Sequence, residues 1–284
     1  MQMLETNNAD LSIREQAELL SIPRSSFYYK PIINDESEIA NLIHEHYLSS
    51  DCRYGYRKIT ASLNIAGNII NHKRVLRIMQ DMHLQGLYPP RLVNTSKQEA
   101  NNRVYPYLLG NLVIAYCNQV WATDITYIRI GGRFMYFIAI IDLHSRYIVA
   151  YELSHTLEVG FCLMALKSAL MLATPVIFNT DQGSQFTCTE FTNELSKYGI
   201  QISMDHKGRC FDNIFIERLW RTIKQESIYF YRPETIPELE KCLSDFVLWY
   251  NNKRLHQSLN YRTPGSIYFN TKVYSNNEVY NLMN

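Results

Sequence analysis

Val120-Trp121-Ala122-Thr123-Asp124-Ile125-Thr126-Tyr127-Ile128-Arg129-Ile130 is the stretch on which the fold turns. It is rich in β-branched and aromatic residues, which suit a pleated, half-buried surface. Gly131-Gly132 follows, a pair able to take the positive φ angles of a tight hairpin. Arg133–Asp142 and Ser145–Tyr151 continue in the same character. Three consecutive antiparallel strands are therefore expected. Inside the first of them stands Asp124. A carboxylate in the middle of a β-branched strand is unfavourable unless something uses it.

Downstream, the pattern alternates. Residues 157–173 read as an apolar helix, and Pro175–Thr180 as a short buried strand ending at Asp181. Residues 187–198 read as a helix and Ile200–Met204 as a strand. A long helix is expected from Asp212 to about Tyr229, and another over Thr235–Asn251. The order β-β-β-α-β-α-β-α describes a mixed, layered α/β domain. Its end-of-strand acid, Asp181, sits where open α/β sheets place functional groups.

Glu217 completes a set of three acids. There are 56 residues between Asp124 and Asp181, and 35 between Asp181 and Glu217. Two divalent ions about 4 Å apart can activate an attacking oxygen and stabilise a leaving one in phosphoryl transfer. Hard cations such as Mg²⁺ take carboxylate oxygens. Three acids brought together without cations would repel, so the cluster argues for bound metal. On the helix, Glu217, Arg221 and Lys224 share one stripe, while Ile216, Trp220 and Ile223 form an apolar stripe beside it. Arg221 and Lys224 are candidates for DNA phosphates. Gln185, in the Gln182-Gly183-Ser184-Gln185-Phe186 loop, is a candidate for hydrogen bonding to a DNA end, or simply part of a loop that positions Asp181. Asp142 reads as a turn residue, and Asp212 and Asn213 as helix caps.

Upstream, residues 36–49, 57–66 and 72–83 show helical spacing, with Asn71 as a cap for the last. Residues 51–103 hold nine basic side chains against three acidic ones, an electrostatic footprint for a phosphate backbone. Arg57, Lys58, Lys73 and Arg74 are its candidate DNA contacts. Residues 10–30 suggest two short helices around a turn, as in part of a helix-turn-helix. Pro89-Pro90 opens a polar linker.

The bulk numbers allow all this. The chain has 284 residues, 46% hydrophobic and 19% charged, a globular balance, with net charge +1. No apolar run spans a bilayer and no secretory signal is visible, so a cytoplasmic protein is expected. The six cysteines form no C-x-x-C pair, and with no second cysteine pair a zinc module using His44, His46, His72 and Cys52 is not expected. His256 reads equally as a DNA contact or a structural residue at the core's edge.

Trp121–Tyr127, Asp181–Phe186 and Lys207–Lys224 resemble the IS-three family of insertion-sequence transposases, in their OrfB part. Trp249–Pro264 also fits the family's ending, although Leu255 stands where proline is common. Tyr54–Ile59 and Asn71–Val75 resemble its helical DNA-binding region. The likeness covers roughly residues 20–268. It implies an RNase H-like core of the retroviral integrase superfamily preceded by a small helical DNA-binding domain. It implies Mg²⁺ (or Mn²⁺), two ions held by Asp124, Asp181 and Glu217, and a DNA contact at Lys224. The activity implied is DNA cleavage and strand transfer at insertion-sequence ends. Expected partners are the terminal repeats, target DNA, further copies of the chain on DNA, and the upstream OrfA product as a frameshift fusion. The chain starts without the family's upstream helix-turn-helix and zipper, so a truncated front is expected. The expected organisation is a partial helix-turn-helix-like segment (1–35), a helical DNA-binding domain (36–88), a linker (89–118), the catalytic core (119–268) and a tail (269–284). Two other readings stay open: an RNase H-type nuclease using water, and a DNA-binding protein without chemistry.

Overall fold

The computed structural model describes residues 10–28, 36–87, 105–205 and 214–270. Outside them lie Arg91, Lys97 and Arg103 of the basic segment, most of the expected linker, Asp212 and Asn213, and the tail beyond 270. The chain divides into two compact units, 1–45 and 46–284. The first holds α1 (Ile13–Leu19), α2 (Ser25–Tyr28) and the start of α3 (Ser37–Ser49). Ser12 caps α1 in a reciprocal box: the Glu15 amide donates to Ser12 Oγ, and the Ser12 amide to Glu15 Oε2 at 2.8 Å.

In the second unit, α3 ends and α4 (Tyr56–Ile65) and α5 (His72–Asp81) follow. Asn71 caps α5 as the sequence predicts, its Oδ1 accepting from the Lys73 amide at 2.8 Å. Five strands then form one sheet: β1 (Val120–Ile130), β2 (Arg133–Asp142), β3 (Ile148–Ser154), β4 (Ile177–Thr180) and β5 (Gln201–Met204), in the order β3-β2-β1-β4-β5. The first three are antiparallel, and β4 and β5 join parallel. Gly131 and Gly132 turn the first hairpin with φ of 53° and 79°, values that cost a side chain but not glycine.

Helices cover both faces. α6 (Val159–Leu172), α7 (Ser184–Thr187) and α8 (Thr189–Lys197) lie on one, where Phe161, Leu166, Phe186 and Phe191 bury against Trp121, Ile138, Ile140 and Phe178. α9 (Ile214–Ile223), the π-turn Lys224–Ile228, α10 (Tyr229–Tyr231) and α11 (Ile236–Asn252) follow. On the other face, Ile216, Trp220, Ile223, Leu243 and Phe246 bury against Ala122, Ile128, Phe137 and Ala139. A 3₁₀ turn (Gln257–Leu259) and α12 (Pro264–Asn270) close the described chain.

The expected strand and helix order holds. Two details differ. The helix expected at 187–198 runs over Thr189–Lys197 as α8, and the short α7, which the sequence reading did not separate from the loop, precedes it. The long helix expected to run to Tyr229 changes at Lys224 into a π-turn. Among the described residues no helix is long and apolar enough to cross a membrane.

Candidate active site

Asp124 lies half-buried in the middle of β1, opposite Ala139. Strand alternation turns it to the face that α9 covers. There the indole N–H of Trp220 donates to Asp124 Oδ2 at 2.8 Å, while the Ile125 amide donates to Oδ1 at 2.8 Å. Burial, and next the charge of Asp181, push the Asp124 pKa up to about 7; the two hydrogen bonds oppose them, and Glu217 adds a smaller push upward. Coupling of this kind brings the three sequence-predicted acids into one electrostatic neighbourhood.

Asp181 follows β4 immediately, and β4 runs parallel to β1 with Ala122 opposite Asn179, so two residues further along each strand come Asp124 and Asp181. Its Oδ1 accepts from the Gly183 amide at 2.9 Å. Burial holds its carboxyl above the ordinary range against that hydrogen bond. Gly183 is needed for space: a Cβ there would stand 2.9 Å from Asp181 Oδ1. Glu217 lies exposed in the first described turn of α9, with Arg221 exposed one turn on. Lys224 is half-buried at the start of the π-turn. Burial lowers its pKa and the nearby Asp124 charge resists this, so it faces the same cluster.

Among the described residues, no three His, Cys, Asp or Glu side chains converge as a ready-made cage for one ion. The donors still suit hard divalent cations. They are carboxylate oxygens, each with a further lone pair; burial raises the pKa of Asp124 and of Asp181, and at Asp124 like charge adds to it, a push that a cation would relieve.

The remaining candidates are dispersed. Gln185 is half-buried, its amide donating to the Leu157 carbonyl at 3.3 Å. Arg57 and Lys73 are exposed on α4 and α5, and Arg74 is half-buried. Lys58 is placed differently from a surface contact. Its ammonium lies 4.8 Å from the Tyr54 ring centre, and burial, then the charge of Arg254, lowers its pKa to about 8. It belongs to a buried network in which Glu226 accepts two hydrogen bonds from Arg254, at 2.7 and 2.8 Å, and Arg53 stacks 4.2 Å over Trp249. His256 is buried edge-on to Tyr250 at 4.8 Å, a structural placement. Asp142, fully buried, accepts from the Asn118 amide and from Ser145, and so fixes the β2–β3 turn.

Sequence reasoning missed Trp220 as a ligand to Asp124, reading it only as apolar. Its spacing of three from Glu217, facing a strand acid, was the available signal. It also missed the Asn179–Asp205 pair, joined at 3.0 Å beneath the Asp181 loop.

Comparison with known proteins agrees with this architecture. Residues 117–210 and 198–264 match models of the integrase core domain, and residues 34–91 an HTH-like domain. The chain is 31% identical over 252 residues to the putative transposase InsK for insertion sequence element IS150 of Escherichia coli, covering 86% of this chain and 88% of that one. It is 32% identical over 237 residues to the transposase for insertion sequence element IS904 of Lactococcus lactis, covering 80% and 90%. A chain of the simian T-cell lymphotropic virus intasome, solved in complex with PP2A regulatory subunit B56 gamma, shares the fold, with a TM-score of 0.51 at 16% identity over 82% of this chain and 76% of that one. An RNase H-like sheet with these three acids, preceded by an HTH-like region, places the chain in the IS-three family of insertion-sequence transposases, in their OrfB part.

Proposed function

We propose that this protein catalyses metal-dependent DNA cleavage and strand transfer at insertion-sequence ends, with a DNA 3′-hydroxyl as nucleophile. The observation that carries the reading is the coupling of Asp124 to Asp181 and Glu217 beside Lys224. A nucleic-acid binder gains nothing from three acids facing phosphates. Asp124, Asp181 and Glu217 would hold Mg²⁺ or Mn²⁺ as a pair of ions, which supply Lewis acidity at the attacking and leaving oxygens. The chain's own residues do the rest. Trp220 and the Ile125 amide fix the two oxygens of Asp124. Gly183 leaves room for Asp181. Lys224 and Arg221 face the phosphates of the DNA end, and Gln185 lies by the Asp181 loop. Arg57, Lys73 and Arg74 of the HTH-like region take the duplex of the terminal repeat. Two ends must meet, so the chain acts as an oligomer on DNA, joined to the upstream OrfA product by frameshift fusion.

The test is strand joining with a labelled duplex ending in a free 3′-hydroxyl, in Mg²⁺ or Mn²⁺, using this chain and its fusion to the upstream frame. Joined product is expected, and Glu217→Gln should abolish it while leaving DNA binding intact. Joining that survives Glu217→Gln removes the assigned active site. Nicking without joining gives the chemistry to a nuclease using water.

A further inference from the structure

Beyond Asp124, β1 continues into a hairpin whose outer face is uncovered. α6 lies mainly over β3 and β2, and leaves Tyr127, Arg129 and Phe134 exposed on the side of the sheet that carries α6 and α7. Tyr127 and Phe134 are 60% and 56% exposed, unusual for aromatic rings on a sheet. Tyr127 stands directly opposite Tyr136, and Arg129 opposite Phe134. Tyr127 is T-shaped to both rings, with centres 6.4 Å apart in each case, and stays largely open to solvent. From Ile125 to Ile141 the chain has two charges, Arg129 and Arg133, and no acid. On β3 the acid that faces this side is Glu152, opposite Ile138.

We propose that this face is a platform for the bases of an unpaired DNA strand. Aromatic faces stack any base, and an interleaved arginine neutralises the phosphate between bases. The platform lies on the same side of the sheet as the Gln185–Leu157 contact, next to the Asp181 loop. Asp124 stands three residues earlier on the same strand and turns to the opposite face, so the platform is a site apart from the acids. A second copy of the chain suits the face less well. A two-fold contact sets the same patch against itself, putting the arginines of both copies into one interface poor in acids. The inference deepens the DNA-transfer reading and can be separated from it.

The experiment measures binding of a fluorescein-labelled single-stranded oligonucleotide to the full chain by anisotropy, across a salt series. The double variant Tyr127→Ala/Phe134→Ala should weaken binding about tenfold or more, from the loss of two stacking partners. Tyr127→Phe, which keeps the ring, should bind as the native chain does. Arg129→Ala should make the salt slope shallower by about 0.7, one single-strand phosphate contact. Unaltered thermal melting shows that these exposed substitutions leave the fold intact. Equal single-strand binding by the native chain and the double variant overturns the platform, as does no binding by either. So does a sedimentation shift from dimer to monomer in the double variant with DNA affinity unchanged, which makes the face a contact between copies. Glu217→Gln should retain single-strand binding. If the platform binds and no chain joins DNA ends, the platform stands and the transposase chemistry falls.

Discussion

Trp220 is the residue on which the position of Asp124 most depends. Its N–H is the one side-chain donor to that carboxylate in the described residues, and partners of this kind orient metal ligands. Trp220→Phe keeps the ring's packing against Phe137 and removes the donor. It should weaken metal affinity by roughly 10- to 100-fold. This would be read as a rise in the Mn²⁺ concentration needed to raise the melting temperature, with the metal-free melting temperature little changed. A merely structural role would lower the metal-free value and leave the Mn²⁺ midpoint alone. His256 sets a second residue-scale expectation. Burial, and then Arg254 and Lys58, lower its pKa to about 2 from 6.5. The folded state thus refuses a proton that the unfolded chain accepts. The contribution of His256 to stability should hold above about pH 7 and fall by roughly 1.4 kcal/mol per pH unit below about pH 6.5, while Asp124, raised to about 7, contributes the opposite slope. Urea unfolding at pH 7.5 and 5.5 should show the loss as the difference between the native chain and His256→Gln. Asp124 and Asp181 stand out in the sequence because one interrupts a β-branched strand and the other ends a buried one, and Glu217 through the family's spacing. Trp220 and His256 do not, because a side chain's partner across 96 residues, or its burial, leaves no local trace.

At the scale of elements, the π-turn is what the sequence hid most fully. Strands betray themselves by alternation and α-helices by a 3.6-residue period, but one i→i+5 turn shifts that period only locally. Here the shift occurs at Lys224, so the turn that faces the acids also carries Glu226 two residues on. Glu226 takes both hydrogen bonds from Arg254, with Lys58 and Arg53 close enough to lower its pKa further, against the upward push of burial. Removing one partner of a buried ion pair leaves the others uncompensated. Glu226→Gln should therefore cost roughly 3–5 kcal/mol of stability. Pairing it with Arg254→Met should recover part of that loss in the same denaturation assay. A double variant as unstable as the sum of the singles would show that the two residues act independently.

For the whole molecule, the basic segment divides by exposure. Sequence counts charge but does not say which way it points, so Arg57, Lys58 and Lys73 were indistinguishable there. In the fold, Arg57 and Lys73 are exposed, whereas Lys58 is turned into the network around Glu226. Arg57→Ala and Lys73→Ala should each make the salt dependence of duplex binding shallower by about one phosphate contact. Lys58→Met should leave that slope unchanged and alter melting instead; a reduced slope for Lys58→Met would return it to the DNA-facing set. The order of the sheet also has a consequence for biosynthesis. β1, β2 and β3 are neighbours in sequence and in space, while β4 pairs with β1 through three residues only, Val120 to Ala122. As the chain leaves the ribosome, the meander can form early, and its inner edge waits for a partner about one helix later. Asp124 is then on its strand when Asp181 arrives with that partner. Glu217 and Trp220, the donor to Asp124, come last on α9, so a nascent chain carries its HTH-like region long before its three candidate ligands stand together.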